Sequence, residues 1–560
     1  YDELLEATGY RMLFKNFAAS GMGLLGTKGT GGRVLDRTTL VIEEGPDTDG
    51  GNGSPAVHKA LSNWAYAAGA LALLFIALTA GYIFSGYHTA AVPVALSPSR
   101  FQNPRLVVIP FEANDEAGRS LGIGFADALA NSLGNLKQLE VLSAATGRSA
   151  AGMPIAQIGS ELNATVVLRG RFTEQDGRTI LTAEMVEAST ERVLFSDRAS
   201  SDTGDLFELQ TQVAEQVWKT LGIEPLPLER QLVERRYTAS PEAYEQYLIG
   251  RYQMSRRSAL ELRQAITTFG KSLEYDTNFA PAYVGLSDAY SLLNLYDIEP
   301  PDKAYEKARG YAQKAIALDD DLAEAHASIA YIRFYNDRDR EGAELDFRRA
   351  LQLNPSNAQA HHWFALFLAA IGKHMDAAQE IEHARRLDPR SLSVFAAAGM
   401  VHFYGGDPAQ AIELCDRALA LDPSFVPAIK VKRWALIAAG ERQGAAAVFR
   451  NELAYTGGSL DDPGWRVIAS QVEQPSTDAI NSLDAAADAP SIRNNPFAFA
   501  YEIALGYLAL GQNDRALTYL EKAEAANSHG FNFIEVDPRF RSLHREPRFR
   551  DLIRKLKAPD

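Results

Sequence analysis

A pattern that recurs every 34 or 35 residues constrains this chain more than any other feature of its sequence. Its landmarks lie 35, 34 and 34 residues apart, at Asp319, Asn354-Pro355, Asp388-Pro389 and Asp422-Pro423. In the unit that ends at Asp388-Pro389, the proline ends the second helix. Small residues seven apart in that helix, Ala377 and Ala384, let two helices approach closely. The period predicts one pair of antiparallel helices per unit, and such pairs stack into a solenoid rather than a single large core.

From about residue 241 to the end, this pattern resembles the tetratricopeptide repeat (TPR) family. The clearest unit runs from Ala358 to Pro389, with Gly372 at the turn between its helices, whereas the pattern decays between roughly 451 and 495. The resemblance implies a groove lined by the first helix of each unit, which would hold a protein or peptide partner. By the family's pattern, six residues line this groove: Tyr331, Phe334, His362, Leu366, Met400 and Phe403. The alternative is that several of them merely pack between neighbouring helices.

An uncharged apolar run lies near the start of the chain. The twenty-one residues from Trp64 to Phe84 carry no charge, and as a helix they would cover roughly 30 Å, the thickness of a bilayer core. This run predicts a single transmembrane helix within residues 61–88, in contact with the membrane through residues 64–84. A buried core helix and a cleaved signal peptide are the alternatives. Lys59, Arg100 and Arg105 flank the run without a bias that would set its orientation.

Strand and helix patterns alternate between the apolar run and the repeats. Strands are predicted at 105–111, 139–142, 164–172, 179–187 and 192–196, and helices at 122–136, 155–162 and 206–221. This order indicates one mixed-sheet α/β domain of about 120 residues.

Four segments of this domain carry a second resemblance: LVVIPFEAND, GFADALANSLGNLKQLEVLS, IGSELNATVVLRGRF and DGRTILTAEMVEA. They resemble the TolB-like amino-terminal domain of bacterial membrane signalling proteins, over roughly residues 104–200. The resemblance implies protein contacts and a periplasmic position. With the apolar run, it predicts a single-pass protein of the bacterial inner membrane whose large C-terminal part is periplasmic. The tail at 536–552 resembles the closing segment of such proteins and is predicted to cap the solenoid.

The predicted fold class is therefore multi-domain: a single transmembrane helix, a small α/β mixed-sheet domain and an all-α TPR solenoid. The predicted parts are a polar arm and flexible linker (1–60), the transmembrane segment (61–88), the TolB-like domain (101–227), the TPR array (241–450), degenerate helices and a loop (451–495), and a terminal repeat with a capping segment (496–560).

Composition and spacing argue against several kinds of chemistry. The single cysteine excludes a disulfide framework, and the net charge of −15 argues against a nucleic-acid partner. The GxGxxG string at 21–26 is followed by further glycines rather than by a helix, so no cofactor is predicted. His361 and His362 must diverge on a helix, and no carboxylate or cysteine cluster completes a ligand set. No catalytic residue, cofactor or metal is predicted, and the chain is not expected to be an enzyme.

The predicted function is a membrane-anchored interaction or sensor protein that presents a TolB-like domain and a TPR groove to a partner. Two alternatives place the chain in a larger protein with an effector domain ahead of Tyr1. In the first it is the sensory part of a CadC-like transmembrane transcription regulator. In the second it is the regulatory part of a nucleotide cyclase or kinase.

Overall fold

The computed structural model describes residues 101–557, apart from residues 102, 176–177, 202–204, 257 and 297. The first part of this range contains a sheet and its helices. The strands are β1 (Arg105–Val108), β2 (Glu140–Val141), β3 (Val166–Gln175), β4 (Arg178–Glu187) and β5 (Val193–Ser201). The helices are α1 (Glu116–Leu133), α2 (Ala144–Ser149), α3 (Ile155–Leu162), α4 (Leu206–Leu221) and α5 (Pro227–Glu234). Each of the five predicted strands is confirmed within a few residues.

The five strands form one mixed sheet in the order β2-β1-β3-β4-β5. Strand β1 runs parallel to β2 and β3, whereas β3, β4 and β5 form an antiparallel meander. Because successive side chains of a strand point to opposite faces, Leu106 and Val108 pack with α1 and α4, and Val107 packs on the other face with α3. The sheet is therefore covered by helices on both sides.

The remainder of the described chain is helical. Its helices are α6 (Pro241–Ser255), α7 (Ala259–Tyr275), α8 (Ala280–Leu295), α9 (Pro301–Leu318), α10 (Ala323–Ile332), α11 (Arg340–Leu353), α12 (Ala358–Ala370), α13 (His374–Leu387), α14 (Leu392–Tyr404), α15 (Pro408–Leu421), α16 (Val426–Ala438), α17 (Arg442–Thr456), α18 (Pro463–Ala469), α19 (Thr477–Asp488), α20 (Pro490–Arg493), α21 (Pro496–Ala509), α22 (Asn513–Ala525) and α23 (Pro547–Lys557). A π-helical turn (Arg333–Asp337) extends α10, and two 3-10 turns (His529–Phe533 and Pro538–Leu543) lie between α22 and α23.

The 34-residue period is present in the structure as helix pairs. The first helices α12, α14 and α16 begin at residues 358, 392 and 426, and their partners α13, α15 and α17 begin at 374, 408 and 442. Gly372, Gly406 and Gly440 adopt positive φ angles of 79°, 85° and 82° at the turn inside each pair. Glycine is favoured there because it has no Cβ to clash in the left-handed conformation. The prediction of a tetratricopeptide-type solenoid is confirmed.

The predictions of a transmembrane helix and of a single-pass inner-membrane protein are contradicted. In the part of the chain that the structure describes, no helix is both long and apolar enough to cross a membrane. Helices α1 and α9 have 18 residues each but carry charged side chains, and the apolar helix α14 has 13 residues, about 20 Å against a bilayer core of roughly 30 Å. The arm at 1–60 and the run at 64–84 lie outside the described residues. The fold class is corrected to a mostly helical solenoid with a small sheet.

The sheet and its helices lie against successive inter-repeat turns of the array. These turns include two of the landmarks that define the period, Asn354-Pro355 and Asp388-Pro389. Three hydrogen bonds illustrate the contact: Asn131 to Glu324, the Val141 amide to Ser356 (3.1 Å) and Thr146 to Asp388 (2.7 Å). One hydrophobic cluster also continues from the sheet into α6, α7 and α8. The α/β part and the start of the array therefore share a core.

Candidate protein-binding groove

The six residues of the predicted groove lie on α10 and its π-helical extension, on α12 and on α14. Tyr331, Phe334, Leu366 and Phe403 are buried in one hydrophobic cluster, Met400 packs against that cluster while partly buried, and His362 is half-buried and not part of it. The structure thus brings five of the six together across three repeats. Their contact with a separate partner stays a prediction.

A segment of the same chain covers this face of the first helices. We call residues 527–540 the inserted segment. The Phe533 ring stacks on Tyr404 with their centroids 4.7 Å apart, and it meets Phe334 edge to face at 6.0 Å. Phe533 is 3% exposed and belongs to the same hydrophobic cluster as the predicted groove residues. Part of the predicted groove is therefore filled by residues about 130 to 200 positions further along the chain.

Side-chain hydrogen bonds hold the inserted segment at its N-terminal end. The Asn527 side-chain amide donates to Asn336 Oδ1 at 3.0 Å, and the Asn532 amide donates to the Tyr335 carbonyl at 3.4 Å. His529 Nε2 lies 2.8 Å from the Tyr305 hydroxyl. Burial and the nearby Lys430 ammonium lower the pKa of His529 to about 4, so this imidazole is neutral at pH 7.

A buried ion pair holds the other end of the inserted segment. The Arg539 guanidinium pairs with Asp537 at 2.5 Å, with side chains 6% and 0% exposed, and Tyr501 donates to the same carboxylate at 2.6 Å. The guanidinium also lies over the Trp434 ring at 4.5 Å and the Phe403 ring at 5.4 Å. An arginine that is paired, stacked and removed from water is a typical anchor of a protein interface.

A second concavity lies where α1, α4 and α5 meet α6, α8 and α10. It encloses about 90 Å³ and is lined by apolar side chains together with a polar cluster. In this cluster Tyr244 donates to Gln210, and Arg251 donates to the Tyr247 hydroxyl at 3.1 Å. Burial raises the pKa of Glu324, which also lines the cavity. A cavity of this size and polarity suits ordered water or a very small polar molecule.

One group of side chains among the described residues has the chemistry to hold a metal ion, namely His361, Glu380 and His383. The expectation that no carboxylate completes a ligand set around His361 overlooked Glu380, which lies on the neighbouring helix. A Glu-x-x-His spacing on α13 is the sequence signal that could have found this group, since residues three apart share a helix face.

Comparisons with known proteins find partial similarity to several named proteins and assign no family. No protein-family model matches it. It is 25% identical over 247 residues to a Rhizobium meliloti (strain 1021) protein named as an adenylate cyclase, covering 43% of this chain and 41% of that protein. It is 25% identical over 158 residues to the transcriptional regulator HilA of Salmonella typhimurium, covering 28% of each. The chain therefore spans less than half the length of either relative. Among solved structures, that of YrrB, a TPR protein with an unusual peptide-binding site, aligns with a TM-score of 0.25 and 21% identity over 37% of this chain and 98% of YrrB.

The sequence did not indicate where the inserted segment lies. The interpretation of the tail as a cap left residues 527–535 without a partner, although Phe531, Phe533 and Ile534 make this stretch apolar. The missed signal is an apolar stretch outside any helix pattern, because such residues need cover from elsewhere in the fold.

Proposed function

We propose that the helical array is a protein-binding module. Its predicted groove, on the face of α10, α12 and α14 that the inserted segment covers, holds an extended, aromatic segment of a partner. The observation that supports this proposal is the set of contacts that the inserted segment makes with the first helices. There a phenylalanine stacks on Tyr404, and an arginine six residues later lies over Trp434. A partner segment with the same aromatic-to-arginine spacing could form these contacts in place of residues 527–540.

A peptide competition experiment tests this proposal. The probe is a fluorescein-labelled peptide with the sequence of residues 527–541, NSHGFNFIEVDPRFR. The full chain carrying Asn532→Ala and Phe533→Ala should bind the probe, because its own segment is weakened, whereas the unmodified chain should not. Fluorescence anisotropy measures the binding, and circular dichroism verifies that the variant is folded.

Two controls make the result specific. Arg554→Ala alters a highly exposed ion pair with Asp551 in α23, outside the inserted segment, and should leave the chain unable to bind the probe. A control peptide with serine at the positions of Phe533 and Arg539 should bind neither the double variant nor Arg554→Ala. If the folded double variant does not bind the labelled peptide, the predicted groove does not accept segments in trans and the proposal fails.

We also propose that the chain is the regulatory part of a larger signalling protein, with a TolB-like α/β domain next to the array. Two relatives named for different outputs, an adenylate cyclase and a transcriptional regulator, align with 43% and 28% of this chain. A shared protein-binding module would suit both outputs. The reading frame upstream of Tyr1 tests this proposal. An in-frame DNA-binding or cyclase domain is expected, and a start codon immediately upstream would contradict it.

A further inference from the structure

Three potential metal ligands converge in the repeat formed by α12 and α13. The ligand atoms of His361, Glu380 and His383 all lie within 4.8 Å of one another. His361 Nδ1 is 2.6 Å from Glu380 Oε2, and the two imidazole rings are 5.1 Å apart at an angle of 65°. His361 is buried and the other two are half-buried, so the group is enclosed on one side and reachable from the other.

The hydrogen bonds of His361 leave one nitrogen facing the other ligands. Its Nε2–H donates to the Pro355 carbonyl at 3.0 Å, the orienting bond that metal-binding histidines usually make through the nitrogen that does not hold the metal. His361 Nδ1 lies 2.6 Å from Glu380 Oε2. The position between these two atoms can hold a proton or a metal ion.

The preceding repeat contains an equivalent histidine–carboxylate pair. His326 lies 35 residues before His361, with Nδ1 2.9 Å from Asp346 and Nε2 2.9 Å from the Asp320 carbonyl. Burial alone would lower the pKa of His326, but these two partners raise it, as expected for an imidazolium. A histidine–carboxylate pair between the two helices of a repeat therefore needs no metal.

The repeat formed by α12 and α13 differs from the preceding repeat at the position of its third potential ligand, His383. The position of His383 is occupied one repeat earlier by Arg349, which pairs with Asp321 at 2.7 Å and cannot bind a metal. Two imidazoles and one carboxylate form a ligand set that suits zinc.

We propose that His361, Glu380 and His383 bind a divalent transition-metal ion, Zn²⁺ by ligand type, and leave a fourth position open. Zinc bonds to nitrogen and carboxylate oxygen measure about 2.0–2.2 Å, which places tetrahedral ligand atoms roughly 3.4 Å apart. The half-buried Glu380 carboxylate, now 2.6 Å from His361 Nδ1, must therefore move slightly away from it to admit the ion. The ion would tie α12 to α13 beside Leu387, whose carbonyl accepts the Ser143 amide of the α/β part at 2.8 Å. The site would therefore stiffen a repeat at the point where the sheet docks.

Metal titration of the full chain tests this inference. After treatment with a chelator, the unmodified chain should bind one equivalent of ZnCl₂ by calorimetry and release protons in weak buffer, and CoCl₂ should produce the visible absorption of a tetrahedral site. His383→Arg installs the residue found one repeat earlier and should weaken Zn²⁺ binding by at least roughly tenfold. The thermal midpoint should rise with Zn²⁺ in the unmodified chain and not in this variant.

His326→Gln is the matched control, because it breaks the equivalent pair in the neighbouring repeat and should leave Zn²⁺ binding unchanged. Glu380→Gln provides a second ligand variant if His383→Arg does not fold. Absence of stoichiometric binding by the unmodified chain would overturn the proposal. So would equal binding by the unmodified chain and the folded ligand variants, which would place the ion elsewhere.

Discussion

Arg539 illustrates at the residue scale how the inserted segment is held against the first helices of the array. Its charge is removed from water but faces Asp537 and two aromatic rings. Loss of one partner of such a pair leaves the other charge buried and unpaired. The ion pairs on the outer surface, by contrast, keep their hydration and contribute little.

We therefore expect Arg539→Met to destabilise the chain by about 3–5 kcal/mol, because the Asp537 carboxylate would stay buried with the Tyr501 hydroxyl and the backbone amide of residue 539 as donors but without a positive charge beside it. Arg548→Met is the control, since Arg548 and Glu521 are 42% and 44% exposed, and its effect should stay below about 1 kcal/mol. Urea unfolding followed by circular dichroism measures both. Equal effects of the two substitutions would contradict a buried anchor.

Glu502 gives a pH-dependent prediction. Burial alone would raise its pKa, but Lys430 at 2.7 Å, Gln471 and Arg433 lower it to about 2 from an ordinary value of 4.5. Because the folded pKa lies below the unfolded one, the stabilisation is present above pH 4.5 and is lost as the pH falls toward 2. Glu502→Gln should thus lower the free energy of unfolding at pH 7, by at most about 3 kcal/mol, and much less at pH 3.

Denaturant unfolding at several pH values checks this expectation. Glu413→Gln, in a half-exposed pair with Arg417, is the control, and its small effect should not vary strongly with pH. A difference between the unmodified chain and Glu502→Gln that stays constant from pH 7 to pH 3 would rule out a strongly lowered pKa.

At the scale of elements, local sequence determines most of the structure. Side-chain caps begin many helices, as Asn357 does for α12 and Ser391 for α14, and left-handed glycines end the first helix of several pairs. These signals act over a few residues, so periodicity and turn residues were sufficient to predict the helix pairs and the five strands.

Two glycines should respond in opposite directions to the same change. Gly406→Ala places a Cβ in open space but at φ 85°, and should destabilise by about 1–2 kcal/mol. Gly310 lies on the exposed face of α9, where no atom would crowd a Cβ, so Gly310→Ala should stabilise the chain by roughly 0.5–1 kcal/mol. Thermal unfolding measures both variants. A stabilising Gly406→Ala would mean that the turn does not need left-handed backbone.

At the scale of the whole molecule, the sheet and the array are joined through a close helix crossing. Helices α1 and α6 approach so closely at Gly124 that a Cβ would clash with the Leu248 carbonyl oxygen. Both helices contribute to the hydrophobic cluster that continues from the sheet into the first helix pair. The two parts are therefore expected to lose structure together.

Gly124→Ala should disrupt this joint. The added methyl group forces α1 and α6 apart, and overpacking of this kind typically costs about 1–3 kcal/mol. Hydrogen exchange with mass spectrometry should show faster exchange in peptides of both helices. Gly270→Ala on α7, where a Cβ meets open space, is the control and should leave protection unchanged. Unchanged exchange in the Gly124 variant would contradict a rigid crossing.

The sequence by itself determined the helix pairs, their 34-residue period and the strands of the sheet, because each follows from which face of a short segment is apolar. Only the tertiary structure decided what covers those faces. The hydrophobic effect is not directional, so an apolar surface around Phe334 and Phe403 could equally accept a partner or a distant part of its own chain. Here Phe533 and Arg539 occupy it, and His361 meets Glu380 and His383, through contacts that no local pattern encodes.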